Sequence, residues 1–255
     1  MEALTDFQYW VLRKISKGDS SDYTEIAYAQ NSKLVSHLGQ EFLDRIAGKT
    51  VIDFGCGHGL QAVELAARGA GEVIGLDIRE DVLVEARQHA LSAGVAEHCH
   101  FATSTSRLAD FAISLDAFEH FDNPAAILRI MDSLLKPEGE VVVSFGPTWY
   151  HPKGGHLFSV FPWAHLVFSE KALIRWRSTF KTDGATRFTE VAGGLNRMTI
   201  RKFEKLVAES PFRFASFETV PIRKLRILHN RLTREFTTAV VRCRLIKRAA
   251  ASGTR

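Results

Sequence analysis

Between Thr50 and Phe145 short apolar runs alternate with amphipathic stretches, and this rhythm restricts the fold more than any other feature of the chain. Thr50–Phe54, Glu72–Ile78, His98–Ala102, Phe111–Ala117 and Glu140–Phe145 read as strands. They lack regular polar alternation, as expected of a sheet buried on both faces. Leu60–Arg68, Asp81–Ser92 and Pro124–Leu135 read as helices, stopped by Gly69, Gly94 and the Lys136-Pro137-Glu138-Gly139 turn. Strand–helix alternation at this spacing predicts an α/β fold with a parallel sheet and helices on both faces. Residues 1–49 read as a mostly helical cap and residues 50–248 as one domain. After Pro147 the rhythm breaks, and residues 149–198 read as an insertion or lid within that domain. Thr199–Glu209 is a helix capped by Thr199. Phe212–Val220 and Phe236–Ile246 read as two last strands, and residues 249–255 as a frayed tail.

Composition removes several classes. Hydrophobic residues at 45% and charged residues at 24% exclude a wholly disordered or collagen-like chain. No apolar run approaches the ~20 residues of a membrane-spanning helix. The start, MEALTDFQYW, lacks the basic n-region of a secretory signal. Three scattered cysteines, Cys56, Cys99 and Cys243, do not make a disulfide framework, so a reducing cytoplasm is the expected compartment.

The most informative motif is Val51-Ile52-Asp53-Phe54-Gly55-Cys56-Gly57-His58-Gly59, which leaves a strand and enters a helix. Glycines there allow a tight turn and let the backbone approach a ligand, with free N–H groups of the helix start facing it. Asp77 ends the next strand, where a carboxylate can accept from both hydroxyls of a ribose. The glycine spacing is G-x-G-x-G, with Leu60 where a dinucleotide fingerprint wants glycine. Asp53, two residues before the first glycine, suits a cationic amino-acid moiety better than a pyrophosphate.

These residues resemble the class I S-adenosylmethionine-dependent methyltransferases, over about residues 45–148 and more loosely beyond. The resemblance implies a Rossmann-like, seven-stranded, mostly parallel sheet whose last strand inserts antiparallel. It implies Asp53, Gly55 and Gly57 around the methionine part of the cofactor, Cys56 and Gly59 as further cofactor contacts, Asp77 at the ribose and Ile78 beside the adenine. Thr105, in Thr103-Ser104-Thr105-Ser106, stands where an acid usually meets the adenine amine. Cys56 is expected as a small filler with no redox role.

After the fourth strand comes Asp116-Ala117-Phe118-Glu119-His120. Strand C-terminal ends face the ligand crevice in this fold class, so Asp116 belongs near the cofactor and the acceptor. The spacing resembles the Glu-x-x-Glu-His motif of two metal-dependent methyltransferase groups, one acting on catechol-like rings in ubiquinone synthesis, the other on the 3′ end of small RNAs. A further histidine after the fifth strand completes that motif, and His156 matches best. The resemblance thus implies Asp116, Glu119, His120 and His156 as catalytic or metal-holding residues. Carboxylates with imidazole suit Mg²⁺, Mn²⁺, Fe²⁺ or Zn²⁺, any of which lowers the pKa of a bound hydroxyl. Two other readings stand beside it: a metal-free base at His120 or His156, and a cap for the helix starting at Asn123-Pro124, made by Glu119 and His120.

Residues 149–180 hold Trp149, Tyr150, Phe158, Phe161, Trp163, Phe168, Trp176 and Phe180, with His151, His156 and His165 among them. The roof of an apolar acceptor pocket, a satellite core or interface, and a peripheral membrane contact all fit this composition. Tyr23, Tyr28 and Asn31 offer a second lid at the N-terminal side. Residues 171–255 hold 20 Lys and Arg against 6 Asp and Glu, a balance of +14, while the remainder holds 13 against 23, a balance of −10. Spread basic residues fit solvated faces better than a nucleic-acid arm, which leaves RNA as the disfavoured partner. The expected activity is methyl transfer from S-adenosylmethionine to a small aromatic or lipophilic acceptor, first at oxygen. An RNA 3′-terminal 2′-O-methyltransferase and a non-catalytic cofactor-binding subunit are the alternatives.

Overall fold

The computed structural model describes residues 2–18, 34–191 and 194–249. Its centre is a seven-stranded sheet of β1 (Thr50–Phe54), β2 (Glu72–Leu76), β3 (Cys99–Ala102), β4 (Ala109–Leu115), β5 (Leu135–Phe145), β6 (Phe212–Pro221) and β7 (Thr238–Lys247). The order is β3-β2-β1-β4-β5-β7-β6. The first five strands pair in parallel, and β7 lies antiparallel between β5 and β6. The chain therefore reverses strand order at β1, and the crevice of such a sheet opens beyond the C-terminal ends of β1 and β4.

Alternate side chains of β1 enter opposite cores, Ile52 and Phe54 on one face and Val51 on the other. The first face is covered by α6 (Pro124–Leu134) and α9 (Ile200–Ala208), which contribute Leu128, Met131, Phe203 and Val207. The second is covered by α2 (Leu34–Leu38), α3 (Gln40–Arg45), α4 (Leu60–Ala67) and α5 (Glu80–Ser92) through Leu34, Phe42, Leu65 and Leu83. Burial on both faces explains why these strands show no polar alternation. Thr199 caps α9 as its position suggests, its side chain accepting from the Lys202 N–H at 3.0 Å.

A third, smaller core lies apart from the sheet. Leu12 of α1 (Glu2–Ile15) packs there with Phe158, Leu173, Trp176, Phe188 and Leu195. Two short helices, α7 (Ala164–Val167) and α8 (Glu170–Arg177), belong to this segment, and α10 (Arg234–Thr237) precedes β7.

Four boundaries depart from the sequence reading. β2 ends at Leu76 and β4 at Leu115, so Ile78 and Ala117 stand in the loops that follow. Lys136–Gly139 is no terminal turn but a bulge inside β5, since Leu135 pairs with Ala109 and Glu140 with Phe111. Phe236 lies in α10, and β7 begins two residues later. Tyr23, Tyr28 and Asn31, and all of the tail after Ala249, lie outside the described residues.

Candidate active site

Gly55, Gly57 and Gly59 all adopt positive φ, at 77°, 50° and 74°. Only Gly57 faces open space, for a Cβ there would meet nothing closer than the Arg79 guanidinium at 4.0 Å. A Cβ on Gly55 would stand 2.7 Å from the Ala117 methyl, where the tip of β1 meets the loop after β4. One on Gly59 would stand 2.7 Å from both Ala86 and the Phe101 ring. Gly59 therefore serves the packing of α4 on α5 and β3, and the surface it was expected to give a cofactor is taken up by its neighbours. The Cys56 side chain likewise turns inward, its thiol donating to the Gly57 carbonyl at 3.7 Å. Burial, then the charges of Asp53 and Asp77, push that thiol far up, and Cys56 has only its main chain to offer a ligand.

Asp77 holds the loop from the side. Its Oδ2 accepts from the Gly57 N–H and its Oδ1 from the Arg79 N–H, both at 3.0 Å. Beside it Ile78 is 91% exposed. Asp53 is 2% exposed, and its Oδ2 has no hydrogen-bond partner among the described residues. Burial first, then the charge of Asp77, push the Asp53 carboxyl up to about 7. A buried acceptor of this kind calls for a donor, and an ammonium group would restore its charge. Thr105 is half-buried in the loop after β3, where its hydroxyl accepts from the Arg107 N–H at 3.2 Å.

The loop after β4 brings together a second set. Donor atoms of Glu119, His120 and His156 all lie within 4.8 Å of one another. Glu119 is buried, with Oε1 accepting from the Gly146 N–H at 3.2 Å. His120 Nδ1 donates to the Gly194 carbonyl at 2.8 Å. The His156 ring stands 5.0 Å from that of His120, nearly perpendicular. His156 is bonded to the Pro147 carbonyl, while its Nε2 is buried without a partner among the described residues. Burial, then the neighbouring His120 and His165, pull His156 down to about 3 and keep it neutral. A carboxylate and two imidazoles, each ring oriented by a backbone carbonyl, form a donor set that fits a divalent cation.

Asp116 does not join this set. At φ 50° it ends β4 and faces α2, with Oδ1 4.0 Å from His37 Nδ1. The same His37 nitrogen lies 2.6 Å from the Ser144 hydroxyl. The four-residue group expected from the motif is thus divided into Glu119–His120–His156 and Asp116–His37–Ser144, because the left-handed turn at Asp116 aims its side chain toward α2. The capping role is corrected as well: Asn123 caps α6, its side chain accepting from the Ala126 N–H at 3.0 Å.

Two participants have no local signal in the sequence. His37 reaches the strand ends from the N-terminal cap. Asn196 donates through Nδ2 to the Phe118 and Phe121 carbonyls, each at 2.8 Å, and through its N–H to the Glu119 carbonyl at 2.9 Å. The end of the 149–198 segment is thereby tied to the loop after β4.

Most of the aromatic side chains of that segment are spent on the third core. Phe158, Trp176 and Phe188 are buried in it, with Trp149, Phe168 and Phe180 packed against it. His165 is buried against the Trp149 carbonyl at 2.6 Å, and His151 is pulled down to about 4 by burial, then by Lys153 and His165. A pocket of about 290 Å³ lies among Ser16, Gly18, Leu157, Val160, Trp176 and Phe180. None of these belongs to the glycine loop or to the Glu119 group, although Leu157 directly follows His156.

A family model described as a methyltransferase domain matches residues 23–214, so the chain belongs to the methyltransferase-domain family, in the class I S-adenosylmethionine-dependent fold. Among curated proteins it is similar to the ubiquinone biosynthesis O-methyltransferase of Pseudomonas paraeruginosa, 38% identical over 105 residues, covering 39% of this chain and 45% of the relative. The protein of the same name from Neisseria meningitidis is 33% identical over 152 residues, covering 56% and 60%. The chain spans about half the length of these relatives. Among solved structures, magnesium protoporphyrin IX methyltransferase from Synechocystis with bound S-adenosylmethionine aligns at TM-score 0.54 and 17% identity, over 95% of this chain and 91% of the other. A Mesorhizobium loti S-adenosylmethionine-dependent methyltransferase aligns at TM-score 0.53 and 18% identity, over 80% and 92%. These two share the fold.

Proposed function

We propose that this chain transfers the methyl group of S-adenosylmethionine to a hydroxyl oxygen of a small aromatic or lipophilic acceptor, with a divalent cation at Glu119, His120 and His156. The observation that carries the reading is the meeting of the two loops. The glycine loop, whose buried Asp53 Oδ2 has no partner among the described residues, meets the loop bearing Glu119 and His120 at the Gly55–Ala117 contact. The name of the curated relatives, O-methyltransferase, supports oxygen as the acceptor atom.

In this reading Asp53 receives the ammonium of the methionine part, Asp77 the ribose hydroxyls and Ile78 one face of the adenine. The sulfonium supplies an activated methyl, so the protein's task is alignment of the acceptor oxygen and removal of its proton. A cation held by Glu119, His120 and His156 would supply Lewis acidity toward that oxygen. The buried neutral His156, with one nitrogen fixed on Pro147 and Nε2 without a partner among the described residues, is built as a ligand. Asp116 and His37 sit at the ends of β4 and β5, where they can orient the acceptor without binding the cation. Residues 149–198, tied down through Asn196, would roof the acceptor side together with the cap at 1–49.

The test is methyl transfer to a panel of catechol-like acceptors before and after chelation, with Mg²⁺, Mn²⁺ or Zn²⁺ added back. Transfer should vanish on chelation and return with the ion, while S-adenosylhomocysteine binding stays unchanged. Full activity after chelation would retire the metal, and methylation of amines with no methylation of hydroxyls would retire oxygen.

A further inference from the structure

The excess positive charge of the C-terminal third divides into two populations. Part of it is paired within the fold: Arg175 with Asp6, Arg177 with Asp183, Arg197 with Glu170, Arg234 with Glu204, Arg244 with Glu140 and Lys247 with Asp132. Four of the remaining cations are grouped together. Arg223, Lys224, Arg226 and Arg231 fall within one connection, between β6 and β7, are exposed, and form no ion pair with any described residue. The acid of this connection, Glu235, is turned inward and accepts from the Ile200 and Arg201 N–H groups at the start of α9.

Aliphatic side chains stand among these cations. Ile227 is 100% exposed and Leu232 92%, with Leu228 and Phe236 also on the surface. The connection that displays them is tied together by hydrogen bonds. His229 bridges the Thr219 and Thr237 hydroxyls at 3.0 and 2.8 Å, and the Asn230 side chain accepts from the Leu232 N–H at 2.9 Å. A hydrogen-bonded loop that holds fully exposed Ile and Leu beside unpaired cations matches an interface with an apolar layer under an anionic surface. Exposed aliphatic tips suit acyl chains, whereas single-stranded nucleic acid is gripped by aromatic faces. The other exposed apolar stripe, Leu4, Phe7 and Trp10 of α1, has no such cation excess, since that helix holds Glu2 and Asp6 with Arg13 and Lys14.

We infer that residues 223–236 are a docking surface for an anionic lipid bilayer. Because β7 runs antiparallel to β5, with Val241 beside Phe145, the connection before β7 emerges at the same end of the sheet as the crevice. Phe236 packs on Tyr150 of the 149–198 segment, ring centroids 5.1 Å apart. Docking there would set the acceptor side of the crevice against the membrane, where a lipophilic acceptor is found. The inference goes beyond the proposed methyl transfer and stands without it.

Co-sedimentation with vesicles of phosphatidylcholine, with and without phosphatidylglycerol, tests it on the full chain. The wild type should partition onto the anionic vesicles and not the neutral ones. Ile227→Ser with Leu232→Ser, and separately Arg226→Glu with Arg231→Glu, should each lower that partition at least about tenfold. Calorimetric binding of S-adenosylhomocysteine should be unchanged in both, which shows that the variants fold. Four results would overturn the inference: no partition of the wild type, partition of both variants equal to wild type, a concentration-dependent dimer in free solution that the Ile227 and Leu232 changes dissolve, or tighter binding to single-stranded RNA than to the anionic vesicles.

Discussion

The two loops that meet at the Gly55–Ala117 contact are built by different means. The glycine loop is local: Asp53, Gly57, Asp77 and Ile78 fall within 26 residues of one β-α-β unit, and each lies where strand ends and turn geometry require. The loop after β4 is assembled from afar. Glu119 and His120 gain their third partner from His156, Asp116 faces His37, and Asn196 locks the arrangement from 75 or more residues away. The difference teaches that the cofactor half is set by backbone topology, while the acceptor half depends on a segment with its own core. Changes in the first should therefore act on cofactor affinity, and changes in the second on turnover.

The largest effect separates the halves outright. Glu119→Ala should lower methyl transfer by about 10³-fold, about 4 kcal/mol at the transition state, with S-adenosylhomocysteine affinity held within about twofold. Comparable loss of both would merge the two loops into one unit. Next come the glycines. Gly59→Val should destabilise the fold by about 3 kcal/mol in urea, from a left-handed φ of 74° and a Cβ 2.7 Å from Ala86 and Phe101. Gly57→Ala, in open space, should cost about 1 kcal/mol. Equal costs would show that the packing assigned to Gly59 is absent.

A pH profile sharpens the cofactor half. The Asp53 carboxyl is raised to about 7 in the free protein, against 3.8 for the ordinary group. The folded state therefore binds a proton that the unfolded state has lost, and this group's share of stability falls as pH rises between those values, then levels off. Cofactor binding requires the carboxylate, so affinity should run the other way. S-adenosylhomocysteine should bind up to about tenfold more tightly for each pH unit gained below about 7, with a plateau above. Asp53→Asn should flatten the profile, and a wild-type profile already flat between about pH 6 and about pH 8 would remove the ammonium assignment.

Much of this was legible in the sequence because it depends on local rules. The span of β1 matches the apolar run Thr50–Phe54, and α9 begins at the cap that Thr199 announces. The glycine spacing and Asp77 lie in register with strand ends. What was not legible has physical causes. Lys-Pro-Glu-Gly has the composition of a turn, yet pairing of Leu135 with Ala109 stretches it into a bulge. The left-handed φ of Asp116 cannot be read from a motif, and it turns an expected ligand toward His37. The aromatic stretch at 149–180 carries the same composition whether it lines a pocket or fills a core, and packing against Leu12 decides for the core. The glycines show the same limit, since three share one motif and only Gly57 faces open space.

Calorimetric titration with S-adenosylhomocysteine, run in parallel on the wild type, Asp77→Ala and His156→Ala, tests the division of labour most directly. Micromolar binding to the wild type, at least tenfold weaker binding to Asp77→Ala, and wild-type affinity for His156→Ala despite its lost turnover are expected. Binding to Asp77→Ala as tight as to the wild type, or its loss in His156→Ala, would contradict that division.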